Sequence, residues 1–159
     1  MAGSQCQDLG GNVEAFEKKV RDSFARQSFM STIGAEMVSV GRGTVEIRLP
    51  FSTKLTQQNG FVHAGAVTSI MDSACGYAAL SVAPEAADVL SVEFKVNFLS
   101  PALGESFVVR AFVKRAGKRL AVCTADAIAI RAGKEKLIAT MLATIMNIDS
   151  KPAGADSRD

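Results

Sequence analysis

The chain is predicted to be an α+β domain in which an antiparallel sheet curls around one long apolar helix. Three observations lead there. From Ala64 to Pro84 the sequence reads AGAVTSIMDSACGYAALSVAP, a helix-length apolar run whose one ionised side chain is Asp72. Four alternating segments follow at 89–99, 105–115, 119–131 and 135–148. They are separated by Pro101-Ala102-Leu103-Gly104, Ala116-Gly117 and Ala132-Gly133, the residue types of tight turns. A meander of that kind cannot bury its apolar face alone, and the single apolar helix is its natural filling.

The remaining elements are read in chain order. Residues 1–12 and 150–159 are small, polar and Gly- or Pro-containing, so they are expected to be flexible tails around one domain at 13–149. Across 13–30, Val13, Phe16, Val20, Phe24 and Gln27 recur at helical spacing among charged residues. That pattern predicts an amphipathic N-terminal helix, with Asn12 as its cap. Met37–Leu49 reads as two short strands joined at Gly41-Arg42-Gly43. In 89–99, alternation puts Leu90, Val92, Phe94, Val96 and Phe98 on one face and Ser91, Glu93, Lys95 and Asn97 on the other. The last two strands are apolar or small on both faces, which suits the middle of a sheet or an interface.

Composition removes several function classes. At 159 residues the chain can bury a sizeable core without staples. A net charge of +2 is too small to argue for nucleic-acid binding. Cys6, Cys75 and Cys123 are odd in number and far apart, which fits neither a disulfide framework nor a CxxC metal site. A reducing, cytoplasmic setting is expected. One histidine excludes a multi-histidine metal centre, so neither metal nor other cofactor is expected. The 64–84 run is long enough to span a membrane. Its Ala, Gly, Ser and Thr around a central Asp, with strands on both sides, fit a buried helix of a soluble protein better.

Chemistry concentrates at the start and middle of that helix. A carboxylate in an apolar helix is costly to bury unless it is hydrogen-bonded or has work to do, which marks Asp72. The bland alternative, a helix-packing face with Asp72 satisfied locally, stands beside it. The helix face around Asp72 reads as Gly65, Thr68, Ser69, Cys75, Gly76 and Ala79, with Val67, Ile70, Met71, Ala74 and Tyr77 toward the core. The free N–H groups at the helix start, preceded by Gln57-Gln58-Asn59-Gly60-Phe61-Val62-His63, suit polarisation of a carbonyl oxygen. Gln57 and Asn59 could position water or substrate, or simply make an Asn-Gly turn. His63 reads as support for that turn rather than as a base.

Nine residues separate His63 from Asp72, which is ~13.5 Å along a helix and on opposite sides of it. One helix therefore cannot bring both into a small site. Two copies lying side by side in a symmetric dimer can. Five phenylalanines (Phe16, Phe24, Phe29, Phe51, Phe61) could line a substrate pocket, although core packing suits most of them better. The basic cluster Lys114, Arg115, Lys118, Arg119 reads as a solvated hairpin that could also attract a phosphorylated ligand.

These residues bear a resemblance. Gln57-x-x-Gly60-x-x-His63-Ala64-Gly65, with Asp72 further along the helix, resembles the hotdog-fold acyl-CoA thioesterases of the phenylacetate-degradation type. Ser91-Val92-Glu93-Phe94-Lys95-Val96-Asn97-Phe98-Leu99-Ser100-Pro101 is similar to the strand after the family's helix, and Gly104-Glu105 to its turn. The resemblance covers roughly residues 30–148. It implies a sheet wrapped around the helix, a homodimer or a homotetramer built as a dimer of dimers, and hydrolysis of an acyl- or aryl-acyl-coenzyme A to free acid and thiol. It further implies Asp72 as nucleophile or as base for water, the Ala64 amide as carbonyl donor, and Gln57 as an assisting side chain. Ser91 would hold the attacking water, with Asn59, His63 and Gly65 near the substrate. The sequence departs from the family at Ala64, where glycine is usual, and at Gly76, where some members carry a hydroxyl. Two rivals remain on the same fold: a dehydratase or hydratase using His63 with a partner-chain acid, and a non-catalytic acyl-CoA-binding dimer.

Overall fold

The computed structural model describes residues 9–149. Helix α1 (Leu9–Arg26) and a short α2 (Ser28–Ile33) lead into strands β1 (Glu36–Gly41) and β2 (Thr44–Pro50). After a 3-10 turn at Thr53–Leu55 and a polar loop comes α3 (Ala64–Leu80), then β3 (Ala87–Phe98), β4 (Ser106–Ala116), β5 (Leu120–Arg131) and β6 (Lys134–Asp149). The strands make one antiparallel sheet in the order β1-β2-β4-β5-β6-β3. Helix α3 carries the chain across the sheet, so β3 lands on the edge opposite β1.

Residues directly opposite one another in antiparallel strands share a face, and the registers trace inward-facing rows across the sheet. One runs Ile47–Val109–Ala127–Ala139, the next Val45–Ala111–Ala125–Met141. All eight are buried, and they pack with Val67, Ile70, Met71 and Ala74 of α3 in a single core. The alanines of β5 and β6 explain why both faces of those strands looked small. They lie in the central part of the sheet under the helix, where a short side chain lets the helix backbone come close. Phe107, between Leu49 and Ala129, is the largest fully buried side chain of this core. Replacing it by alanine should lower stability by about 3–5 kcal/mol. Chemical denaturation checks this, and a loss below ~1 kcal/mol would mean that this end of the sheet is not tightly packed.

Three expectations are corrected. The N-terminal helix begins at Leu9, so Asn12 lies inside it rather than capping it. The pair Gly10-Gly11, poor helix formers, had made the start look later. Of the tails expected at 1–12 and 150–159, residues 9–12 are helical, and 1–8, with Cys6, and 150–159 lie outside the described residues. The helix also does not run on to residue 30. It breaks at Gln27, whose extended backbone (ψ 91°) starts α2 and turns Met30 into the core. Finally, β3 does not alternate uniformly. A bulge between Ser91 and Glu93 shifts its phase, so Ser91 faces inward opposite Ile145, on the same side as Phe94, Val96 and Phe98.

Candidate active site

The polar loop before α3 is held by its own backbone. Gln57 N–H donates to Phe61 O (2.8 Å), Gly60 N–H donates to Gln57 O (3.0 Å), and Gly60 takes φ +82°, a conformation that favours glycine. The side-chain oxygen of Gln57 accepts from the Asn59 amide, which turns its carboxamide into the loop and leaves its NH2 group to donate elsewhere. His63 is the N-cap of α3: its Nδ1 accepts from Gly65 N–H at 2.8 Å. A Cβ added at Gly65 would come within 3.0 Å of that nitrogen, so glycine there keeps the cap intact. With Gly65 committed, the neighbouring Ala64 amide has no hydrogen-bond acceptor among the described residues. It is a free, exposed donor at the positive end of a 17-residue helix.

Two turns further, Asp72 is half-buried, and Ser91 Oγ donates to its Oδ1 at 2.6 Å. Its Oδ2 has no hydrogen-bond partner among the described residues. The bulge in β3 makes this contact, because it turns Ser91 from the solvent face to the helix face. The open face of α3 beside Asp72 consists of Gly65, Thr68, Ser69 and Gly76. Cys75 and Ala79, expected there, are instead buried in the core. Both belong to the cluster through which α3 packs on the sheet. Burial pushes the Cys75 thiol far up, with Cys123 and Asp72 adding to the effect, and burial raises Cys123 to about 11. Neither is a thiolate at neutral pH.

The site residues fall into separate cavities. Asp72 and Ser91 border one of about 290 Å³, together with Gly76 and Tyr77. Gln57, His63 and Ala64 border another of about 640 Å³, with Phe61, Val62, Phe98 and Leu99 as apolar wall. Asn59 and Gly65 line neither. Of the five phenylalanines considered, Phe24 packs edge-on against Tyr77 (5.6 Å), Phe61 lines the apolar cavity, Phe16 lines a third cavity, and Phe29 and Phe51 are exposed. Core packing therefore does not account for most of them.

Sequence reasoning missed the contribution of α1. Ser23 and Gln27 border the Asp72 cavity, and the Tyr77 hydroxyl donates to Gln27 Oε1 at 3.3 Å. The signal was Gln27 itself, a polar residue on the apolar face of the helix. Among the described residues no group of His, Cys, Asp and Glu is placed to hold a metal ion, and no helix is long and apolar enough to cross a membrane.

An antiparallel sheet wrapped on one long helix is the hotdog arrangement, the fold of a class of thioesterases. Comparison with known proteins agrees. The pattern of the thioesterase superfamily matches residues 59–136. A thioesterase family protein from Silicibacter pomeroyi is 54% identical, with a TM-score of 0.84 over 85% of this chain and 99% of that one. A Saccharolobus solfataricus protein provisionally named an esterase is 32% identical over 104 residues, 65% of this chain and 69% of its own length. The PaaI protein from the phenylacetic acid degradation operon of E. coli shares the fold, with a TM-score of 0.78 at 16% identity, over 86% of this chain and 95% of its own. The chain belongs to the thioesterase superfamily and is a thioester hydrolase.

Proposed function

We propose that the protein hydrolyses acyl- or aryl-acyl-coenzyme A thioesters, with each site assembled from two chains of a homodimer. The observation that carries this reading is the arrangement of Asp72. One carboxylate oxygen is held by Ser91 and the other is left free toward a cavity. Asp72 then attacks the thioester carbonyl carbon, or takes a proton from a water that does. The carbonyl oxygen, gaining negative charge, is stabilised by the free Ala64 amide of the other chain, with the Gln57 NH2 group beside it. One such donor is typically worth ~2.7–4 kcal/mol of barrier. The bond from carbonyl carbon to sulfur breaks and coenzyme A leaves as thiolate, a good enough leaving group to need no strong general acid. Where Asp72 itself attacked, water then cleaves the resulting anhydride, releasing the free acid and restoring the carboxylate.

The dimer reading is supported by β3. It is an edge strand whose backbone on one side is unpaired, and it exposes Leu90 (54%), Phe94 (43%) and Phe98 (48%). An edge of that length and apolarity calls for cover. A second β3 pairing antiparallel would lay the two α3 helices side by side in opposite directions, bringing each helix start near the partner's Asp72. On the outer sheet face Phe112, Leu137 and Leu142 are exposed as well, which supports a dimer of dimers. The unpaired buried thiols Cys75 and Cys123 support a cytoplasmic setting. His63 supports hydrolysis over dehydration, since its Nδ1 is engaged in the helix cap rather than presented as a base.

The test is steady release of free thiol, followed with a thiol reagent, from short, medium, long and aromatic acyl-CoAs. Multiple turnovers with at least one of them are expected. Tight binding without release would make the protein an acyl-CoA-binding dimer.

A further inference from the structure

The cavity beside Asp72 has a lining that the chemistry above leaves unexplained. Gly76 follows Asp72 by four residues and Ser73 by three, and Tyr77 follows Ser73 by four, so these residues form one continuous strip of α3. Facing that strip, the last turn of α1 and the break after it supply Ser23 and Gln27. The border carries two carboxylates, Asp72 and Asp88, and no cation.

Several of these groups are more polar than packing requires. Ser73 is only 8% exposed, and its Oγ has no hydrogen-bond partner among the described residues. No fully enclosed side-chain oxygen among those residues lacks a partner, so what opening Ser73 Oγ has is onto the cavity it borders. Gln27 occupies the N-cap position of α2 but makes no cap hydrogen bond. Its Oε1 instead accepts from the Tyr77 hydroxyl at 3.3 Å, which leaves its NH2 group to donate into the cavity. Burial holds the Tyr77 phenol above its usual range, so it stays a neutral hydroxyl at neutral pH. Ser91, for its part, has committed its one O–H to Asp72 Oδ1, so a water at Oδ2 has to be oriented by other groups.

The space itself suits water. At Gly76 an added Cβ would meet nothing within 4 Å, which leaves room next to the carboxylate. A cavity of about 290 Å³ holds several waters, and a buried water typically makes about three hydrogen bonds. An apolar acyl group there would leave the Ser73 hydroxyl and the Gln27 NH2 group unpartnered. The two carboxylates also repel an anionic product.

We infer that this cavity stores the water consumed in hydrolysis, and that Ser73 and Gln27, the latter held by Tyr77, are positioning residues that present it to Asp72. Seated over Gly76, the water donates to Asp72 Oδ2 and to Ser73 Oγ, accepts from the Gln27 NH2 group, and keeps a lone pair for the carbonyl carbon. Its oxygen bonds to that carbon, its proton passes to Asp72 and on to the thiolate, and the carbon–sulfur bond breaks. Where Asp72 has itself attacked, the stored water cleaves the anhydride. This rests on the proposed role of Asp72 and adds where its water comes from.

The test is kcat and KM of Ser73→Ala, Gln27→Leu and Gly76→Val on short, long and aromatic acyl-CoAs. Each variant should lower kcat about tenfold, roughly the worth of one hydrogen bond, with KM little changed and the same factor for every acyl group. Valine is a better helix former than glycine, so Gly76→Val should do this without lowering Tm. Ser73→Thr should recover most of what Ser73→Ala loses. An unaltered kcat overturns the water store. So does a loss that grows with acyl size, which would make the cavity an acyl pocket. A crystal structure that shows ordered solvent gives a readout independent of activity. Water on Ser73 Oγ and Gln27 Nε2 is expected, and a cavity without it overturns the store. If Asp72→Asn stays active, or no acyl-CoA is cleaved, it is the proposed function that falls, and the ordered water alone then decides the cavity.

Discussion

Asp72→Asn should cut thioester turnover by at least about a thousandfold while leaving the fold and substrate binding nearly intact. The size follows from what is removed: an amide can neither attack the carbonyl nor take a proton from water, and loss of a positioned base alone typically costs 10²–10⁴-fold, roughly. The selectivity follows from what is kept. Asn is nearly isosteric, and its side-chain oxygen can still accept from Ser91 Oγ, now 2.6 Å from Asp72 Oδ1. Circular dichroism and acyl-CoA titration would report the fold and the binding, and thiol release the chemistry. Near-normal hydrolysis by a well-folded variant would remove Asp72 from the mechanism.

Mixing two dead variants should bring activity back. The two groups proposed to act on one thioester border different cavities of the same chain, Asp72 with Ser91 in one and Gln57 with Ala64 in the other. If a site takes Asp72 from one chain and Gln57 from its partner, a mixed dimer of Asp72→Asn and Gln57→Ala holds one site with both defects and one with none. Unfolding and refolding the two variants together should therefore restore about half of normal activity to every mixed dimer, since one of its two sites is intact. Each variant alone gives little. Separately tagged chains, purified through both tags, establish that mixed dimers formed. Verified mixed dimers without recovery would mean that each chain builds its own site.

Much of the architecture was legible before any coordinates, because it rests on local patterns. Asp72 stands out as the one charge in an apolar helix. The turns at Gly41-Arg42-Gly43, Ala116-Gly117 and Ala132-Gly133 fall between strands where the alternation ends. The small and apolar residues of β5 and β6 announced strands in the interior of the sheet. Each of these is a statement about a few neighbouring residues, and neighbouring residues suffice to make it.

Other features have no local signature. Alternation assigns Ser91 to the polar face of β3, and only the bulge after it turns the hydroxyl onto Asp72. A bulge depends on how β3 pairs with β6 some fifty residues away, since one extra residue must be accommodated in that register. The placement of α1 is of the same kind. Its amphipathic face says that it packs, but where it packs is decided by Phe24 against Tyr77 and Lys19 against the carbonyls of Pro84 and Ala87. That placement puts Ser23 and Gln27 beside the carboxylate. The sequence by itself determined the elements, the helix that fills the sheet and the acid within it, because periodicity and burial cost act along the chain. Which side chains meet that acid, and which cavity lies beside it, was decided by pairing and packing between segments distant in sequence.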